Sequence, residues 1–123
     1  MRQVISSCDK GRLLMELSEL VVKKIGDRKW KLNKPYITPY GVVPKGFVVN
    51  GANVPRLLWW LFSPAGKLFH ASVFHDWCYK TAYRSRLYAD FSFYRIALAT
   101  GVNKFEAKAA YWAVRLFGKG SYK

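Results

Sequence analysis

Acidic side chains are what this sequence most lacks. Its 123 residues carry 7 Asp and Glu against 21 Lys and Arg, a formal net charge of +14. A field of that sign favours anionic partners: nucleic acid, anionic lipid headgroups or an acidic protein surface. It also keeps a chain soluble, so charge alone does not choose among them. Cysteine is scarce as well. Cys8 and Cys78 are too few for a disulfide scaffold and wrongly spaced for a zinc site, which leaves one bridge or two reduced thiols. No apolar run approaches the roughly 20 residues of a membrane span. The longest is Leu57 to Phe62, LLWWLF, and the opening MRQVISSCDKGR has no apolar core of a signal peptide. What is present argues against disorder: 51% of the residues are hydrophobic and 17% aromatic, enough for a real core. The length suits a single domain over 1–123.

Patterning predicts an α+β fold, with hairpins and short strands followed by two to three packed helices. The β-rich part covers 11–55, the helical part 57–118, and 119–123 form a short basic tail. Leu13, Met15 and Leu17 alternate, and a β-branched run at Glu19–Lys24 meets Trp30–Leu32 across a bend at Gly26-Asp27. Pro35, Pro39, Gly41, Pro44 and Gly46 leave no room for a helix between 33 and 56. Phe47–Val49 reads as a strand entering the loop Asn50-Gly51-Ala52-Asn53-Val54-Pro55. Leu57–Phe62 reads as a short apolar helix, and Lys67 to about Tyr83 as a longer one. Ser85 is the predicted N-cap of the next helix, ending at Gly101. Asn103, with Glu106 three residues on, starts a helix that stops at Gly118. On it, Ala109, Trp112, Ala113 and Leu116 read as a core stripe.

The rarity of acids singles out two of them. From Arg28 to Phe105 there are twelve Lys or Arg and only two carboxylates, Asp76 and Asp90. Asp76 adjoins His75, about 100° away on a helix, so the two share an edge but aim differently. One can face a reacting water while the other faces a metal. Asp90, on a following antiparallel helix, can reach the other nitrogen of His75, fix its tautomer and stabilise its protonated form. That contact needs a turn near 82–83, whereas the cap signal at Ser85 sets it about one helical turn out of register. Ordinary ion pairing competes: Asp76 with Lys80, and Asp90 with Arg84, Arg86 or Arg95. His75 can also be a core histidine bonded to a carbonyl. His70 and His75, five residues apart, are off the face-sharing spacing of a helical metal pair.

The series from Phe47 to Pro55, then Trp59-Trp60-Leu61, His75-Asp76-Trp77-Cys78-Tyr79, Arg86 to Phe93 and Tyr111 to Arg115 resembles a phage and prophage family. That family is domain of unknown function 1353, with the pattern DGASxP, HDxLY and a basic residue before ADxxF. The resemblance covers roughly residues 20 to 117 and implies a phage or prophage origin, with no activity attached. The same motifs more distantly resemble secreted bacterial and fungal phospholipases A₂, which carry a DGCSxP loop, an HDxxY helix and a later Asp.

The second resemblance implies a phospholipase A₂-like helix pair with His75 as general base, Asp90 as its orienter and Tyr79 as a supporting hydroxyl. It implies calcium held by Asp76 and by backbone oxygens near Asn50, Gly51 and Ala52, where the ion would act as a Lewis acid. Asn50 stands where both patterns have Asp, and Asn53 where both have Ser. The functional expectation is a calcium-dependent phospholipid or ester hydrolase acting at anionic membranes. Its alternatives are a non-catalytic tail or neck component of a virion that binds an acidic phage protein, and a nucleic-acid or host-factor binder. The expected location is the host cytoplasm during infection, with a place in the virion. Trp59 and Trp60, with Arg56, suit an interfacial anchor on an anionic bilayer, or else pack under the helices. The aromatic and basic run Tyr79–Tyr88 suits stacking on single strands but comes with no nucleic-acid motif.

Overall fold

The computed structural model describes residues 2–5, 15–50, 59–60 and 66–118. Strands come first: β1 (Arg2–Ile5), β2 (Met15–Ser18), β3 (Val22–Gly26), β4 (Lys29–Leu32), β5 (Tyr36–Thr38), β6 (Gly41–Val43) and β7 (Val48–Asn50). Helices follow: α1 (Phe69–Thr81), α2 (Arg86–Ala99) and α3 (Lys104–Phe117). This is the α+β order that the patterning predicts. All pairing is antiparallel, in a β1–β2 ladder, a β3–β4–β7 sheet and a β5–β6 hairpin.

The β3–β4 hairpin turns at Asp27-Arg28, beside the expected Gly26, and its register shifts between Lys24 and Gly26. Such a bulge sharpens the local twist. The proline- and glycine-rich stretch after it holds β5, β6 and β7, and no helix among its described residues. Thr38 closes the β5–β6 turn: its Oγ1 donates to the Gly41 carbonyl and accepts from the N–H groups of Tyr40 and Gly41.

Period-two alternation places the core. On β4, Trp30 and Leu32 are buried while Lys29 and Lys31 face solvent. Trp30 meets Phe69 of α1 edge to face, with ring centroids 5.1 Å apart. Leu17, Tyr36, Val43 and Val49 from the strands join Val73 and Phe74 of α1 in the same core. Phe93, Ile96 and Ala97 extend it along α2, and Ala107, Ala110 and Val114 along α3.

The helix ends follow local chemistry. α1 stops at Thr81, two residues before the expected Tyr83, because Ala82 turns left-handed at φ 53° and Arg84 does so again at φ 57°. Ser85 then caps α2, its Oγ accepting from Tyr88 N at 3.0 Å. Asn103 caps α3 through Oδ1 and Glu106 N at 2.8 Å, and Gly118 closes it, both as expected. Within Leu57–Phe62 only Trp59-Trp60 is described, as one 3₁₀ turn. Leu13, Cys8, Asn53 and residues 119–123 lie outside the described set.

One expected core stripe is corrected. Ala109, Trp112 and Leu116 are exposed and Ala113 only partly buried. The face of α3 that packs inward is Ala107, Ala110 and Val114. Small side chains there let α3 approach α2 closely, so the bulky residues point outward.

Candidate functional site

The α1–α2 hairpin brings His75, Tyr79 and Asp90 together. His75 and Tyr79 are one turn apart on α1, and Asp90 faces both from α2. His75 Nε2 lies 2.7 Å from Asp90 Oδ1, and the Tyr79 hydroxyl donates to the same oxygen at 2.6 Å. The expected one-turn offset does not arise. The early end of α1 and the two left-handed residues after it shift the turn toward the position the pair needs.

Two arginines complete the cluster. Arg115 of α3 donates from Nη1 to Asp90 Oδ2 at 2.9 Å. Arg86 donates from Nε to the Tyr79 oxygen at 3.0 Å, and its Nε stands 3.9 Å from Asp90 Oδ2. Its Nη2 also donates to the carbonyls of Val114 and Arg115 in the last turn of α3, the first of which accepts the Gly118 N–H as well. In the sequence Arg86 is a plain ion-pair candidate for Asp90, whereas Arg115, 25 residues from Asp90, carries no local signal of this contact. The expected alternatives Arg84 and Arg95 are placed elsewhere: Arg84 over the rings of Tyr83 and Tyr88, Arg95 over Phe91. Gly118 lets the end of α3 sit against this cluster. A Cβ there would lie 2.5 Å from the Val114 carbonyl oxygen and 3.1 Å from the Tyr79 hydroxyl.

The electrostatics fix the proton positions. Asp90 is fully buried. Burial acts to raise its pKa, but the hydrogen bond and charge of His75, with the bonds from Tyr79 and Arg115, hold it below the ordinary carboxylate value. As a carboxylate it only accepts, so His75 Nε2 carries the proton of the shared bond. In neutral imidazole that leaves the lone pair on Nδ1, which makes no hydrogen bond with the described residues. The His75 ring is held between Tyr79, at 4.1 Å between centroids, and Phe93, at 5.2 Å. Burial, then the bond to Asp90, pushes the Tyr79 hydroxyl pKa up, so it stays a donor.

Asp76 points elsewhere, toward the end of β7. Its carboxylate accepts from the backbone N–H of Asn50, and Lys80 Nζ stands 3.2 Å from Oδ2. The lysine is ion-paired but off the hydrogen-bonding direction, so Oδ2 is buried with no hydrogen bond. Burial raises the Asp76 pKa, with Lys80, Asn50 and His75 only partly opposing it. The sign follows. An acid whose folded pKa is raised costs stability above its unfolded pKa of about 3.9, and costs none once pH falls below it. Asp76→Asn is therefore expected to raise Tm at pH 7. The gain should vanish near pH 3, and parallel melts of both proteins check it.

The remaining candidates are dispersed. Gly51, Ala52 and Arg56 lie outside the described residues. Trp60 is exposed, and Trp59 is half-buried beneath the Arg28 guanidinium, 3.7 Å from its ring centroid. His70 bonds Tyr36 through Nδ1 at 3.0 Å, apart from His75. Cys78 is a free buried thiol whose pKa burial and the charge of Asp90 push up to about 12. Tyr83 and Tyr88 pack on each other, and the Tyr88 hydroxyl donates to the Tyr40 carbonyl. Among the described residues no three His, Cys, Asp or Glu side chains converge as a metal site. No described helix is long and apolar enough to cross a membrane.

Fold and site together define a small α+β domain built around a buried His–Asp–Tyr cluster braced by arginines. Residues 28–114 match the family model described as Protein of unknown function (DUF1353), and the chain belongs to that family. It is 37% identical over 78 residues to the uncharacterized protein y4jT of Sinorhizobium fredii. That match takes in 62% of this chain and 23% of y4jT, so the chain spans less than a quarter of that relative. No solved structure matches it.

Proposed function

We propose that this domain hydrolyses an ester at an anionic lipid surface, with His75 as general base. The observation that carries the reading is the 2.7 Å contact of His75 Nε2 with Asp90, which leaves the Nδ1 lone pair for a water. In the proposed step Nδ1 takes a proton from water while the water oxygen attacks the ester carbonyl carbon. Asp90 stabilises the imidazolium that forms. The imidazolium then gives its proton to the departing alkoxide as the acyl–oxygen bond breaks. Tyr79 and Arg115 keep Asp90 ionised and aimed. The distant resemblance of the motif order to secreted phospholipases A₂ supports the same roles, and a phage or prophage origin belongs to the proposal.

Calcium is part of it. Asp76 Oδ2, a buried carboxylate oxygen with no hydrogen bond, is the donor a hard cation takes. Backbone oxygens at Asn50, Gly51 and Ala52 are the further candidates, and Lys80 would have to swing away. A bound calcium would supply Lewis-acid polarisation of the ester carbonyl. The test has two arms. Calcium should raise Tm of the wild type and not of Asp76→Ala, since binding only the native state stabilises it. Phosphatidylglycerol vesicles should release fatty acid. Calcium without effect on Tm removes the metal, and no fatty acid with or without it ends the hydrolase reading.

A second reading is a non-catalytic virion component that uses its charge on an acidic partner. The Lys80–Asp76 ion pair favours it, because it already neutralises the carboxylate that calcium would need, and Asn50 brings no replacement. On this reading the protein is found in purified particles and no ester is cleaved.

A further inference from the structure

The α3 helix has two apolar faces, and the larger one is bare. Inward go Ala107, Ala110 and Val114, at most 1% exposed. Outward go Phe105, Trp112 and Leu116, at 89%, 57% and 68% exposure. At about 100° per residue these three fall within a stripe about 40° wide. Core packing ordinarily takes the large side chains and leaves the small ones out, the reverse of what α3 does. By the same spacing Lys104 and Lys108, both exposed, run along one side of the stripe. The single acid of the helix, Glu106, lies on the other. Ring contacts from Trp112 to Tyr111, at 5.3 Å, and on to Tyr94, at 5.9 Å, carry the surface across to α2. There Leu87 and Phe91 are also exposed.

We infer that this face docks flat on an anionic bilayer. Phe105, Trp112 and Leu116 enter the boundary between headgroups and acyl chains, and Lys104 and Lys108 meet the lipid phosphates. Charge selects the occupant. A second copy, also at +14, would be repelled, and 7 acids in the whole chain give it little with which to answer the lysines. An aromatic stripe edged with lysine is the chemistry of an interfacial helix, which gains from apolar burial and from anionic lipid together. The inference rests on the reading of the partner as an anionic lipid surface, yet it concerns a face outside the His75 cluster and fails separately from it.

The test is co-sedimentation of the full chain with vesicles containing phosphatidylglycerol, against phosphatidylcholine alone. Parallel assays follow hydrolysis of a water-soluble short-chain ester. Wild type should bind the anionic vesicles, and less so as salt rises. The triple variant F105S/W112S/L116S should bind on the order of a hundredfold more weakly. Lys104→Gln and Lys108→Gln should each cost about fivefold. All are at exposed positions, and circular dichroism should show unchanged helix content. Failure of the wild type to bind anionic vesicles overturns the docking, as does undiminished binding by the triple variant. So does a lipid-free dimer that the triple variant abolishes, since the face is then a contact between copies. Soluble-ester hydrolysis without vesicle binding removes the docking and leaves the hydrolase. Vesicle binding with no hydrolysis does the opposite.

Discussion

Asp90→Ala is expected to cost about 3–5 kcal/mol of stability, read as a lower urea midpoint at unchanged slope. Asp90 is 0% exposed and is the common acceptor for His75, Tyr79 and Arg115. Alanine removes that acceptor and leaves the donors facing each other. Of the three, Arg115 can turn to water, since 28% of its side chain is exposed, but His75, at 10%, has little access. A buried charge with one partner removed is costlier than a pair replaced whole, which is why the effect is a large share of a typical total of about 5–15 kcal/mol. Asp90→Asn keeps the shape and should lie between wild type and alanine. It also isolates the titration. The depressed carboxylate contributes stability that is complete above its unfolded pKa of about 3.9 and is lost as pH falls through the lower folded value. That acid-labile component should be missing from Asp90→Asn, so its Tm should fall less between pH 6 and pH 2.

His75→Gln is the other large effect, and it is on rate. If His75 is the base, kcat for ester hydrolysis should drop by about 10²–10⁴-fold, the usual worth of a positioned general base. Tm should change far less, because glutamine can still donate to Asp90 and fills much of the space between Tyr79 and Phe93. KM should hold, since Nδ1 acts on water rather than on the substrate's binding groups. Unchanged kcat in a folded His75→Gln protein would exclude the base role. A loss of Tm matching that of Asp90→Ala, in a protein that cleaves no ester, would make the cluster a structural one.

The fold was legible wherever local chemistry decides it. Ser85, Asn103 and Gly118 mark helix ends because a hydroxyl, an amide or a missing Cβ acts on backbone groups within a few residues. The Gly26-Asp27 bend was readable for the same reason. The end of α1 was not, because Ala82 and Arg84 take left-handed backbone that their side chains do not advertise. The offset read from the Ser85 cap does not arise although that cap sits where expected, because the left-handed Ala82 and Arg84 redirect the turn and leave His75 and Asp90 2.7 Å apart. The His75–Tyr79–Asp90 grouping was readable from the rarity of acids and from motif order. Arg115 was not, because its contact depends on how α3 crosses α2, and nothing local to it announces the partner. The stripe on α3 misled for a related reason. Spacing shows that Ala109, Trp112, Ala113 and Leu116 share a face, but only the packing of Ala107 and Ala110 shows which face is turned inward.

The Asp90 cluster also bears on the order in which the molecule is completed. α1 and α2 supply His75, Tyr79, Arg86 and Asp90, but the guanidinium of Arg115 and the carbonyls that hold Arg86 come from α3. A growing chain that has released the hairpin and not yet α3 has its carboxylate without the cation on Oδ2. Synthesis runs from the N-terminus, so a finished site waits for the helix made last among the three. A nascent or truncated chain lacking α3 would then hold His75, Tyr79 and Asp90 without the Arg115 brace, however well its strands and first two helices had folded.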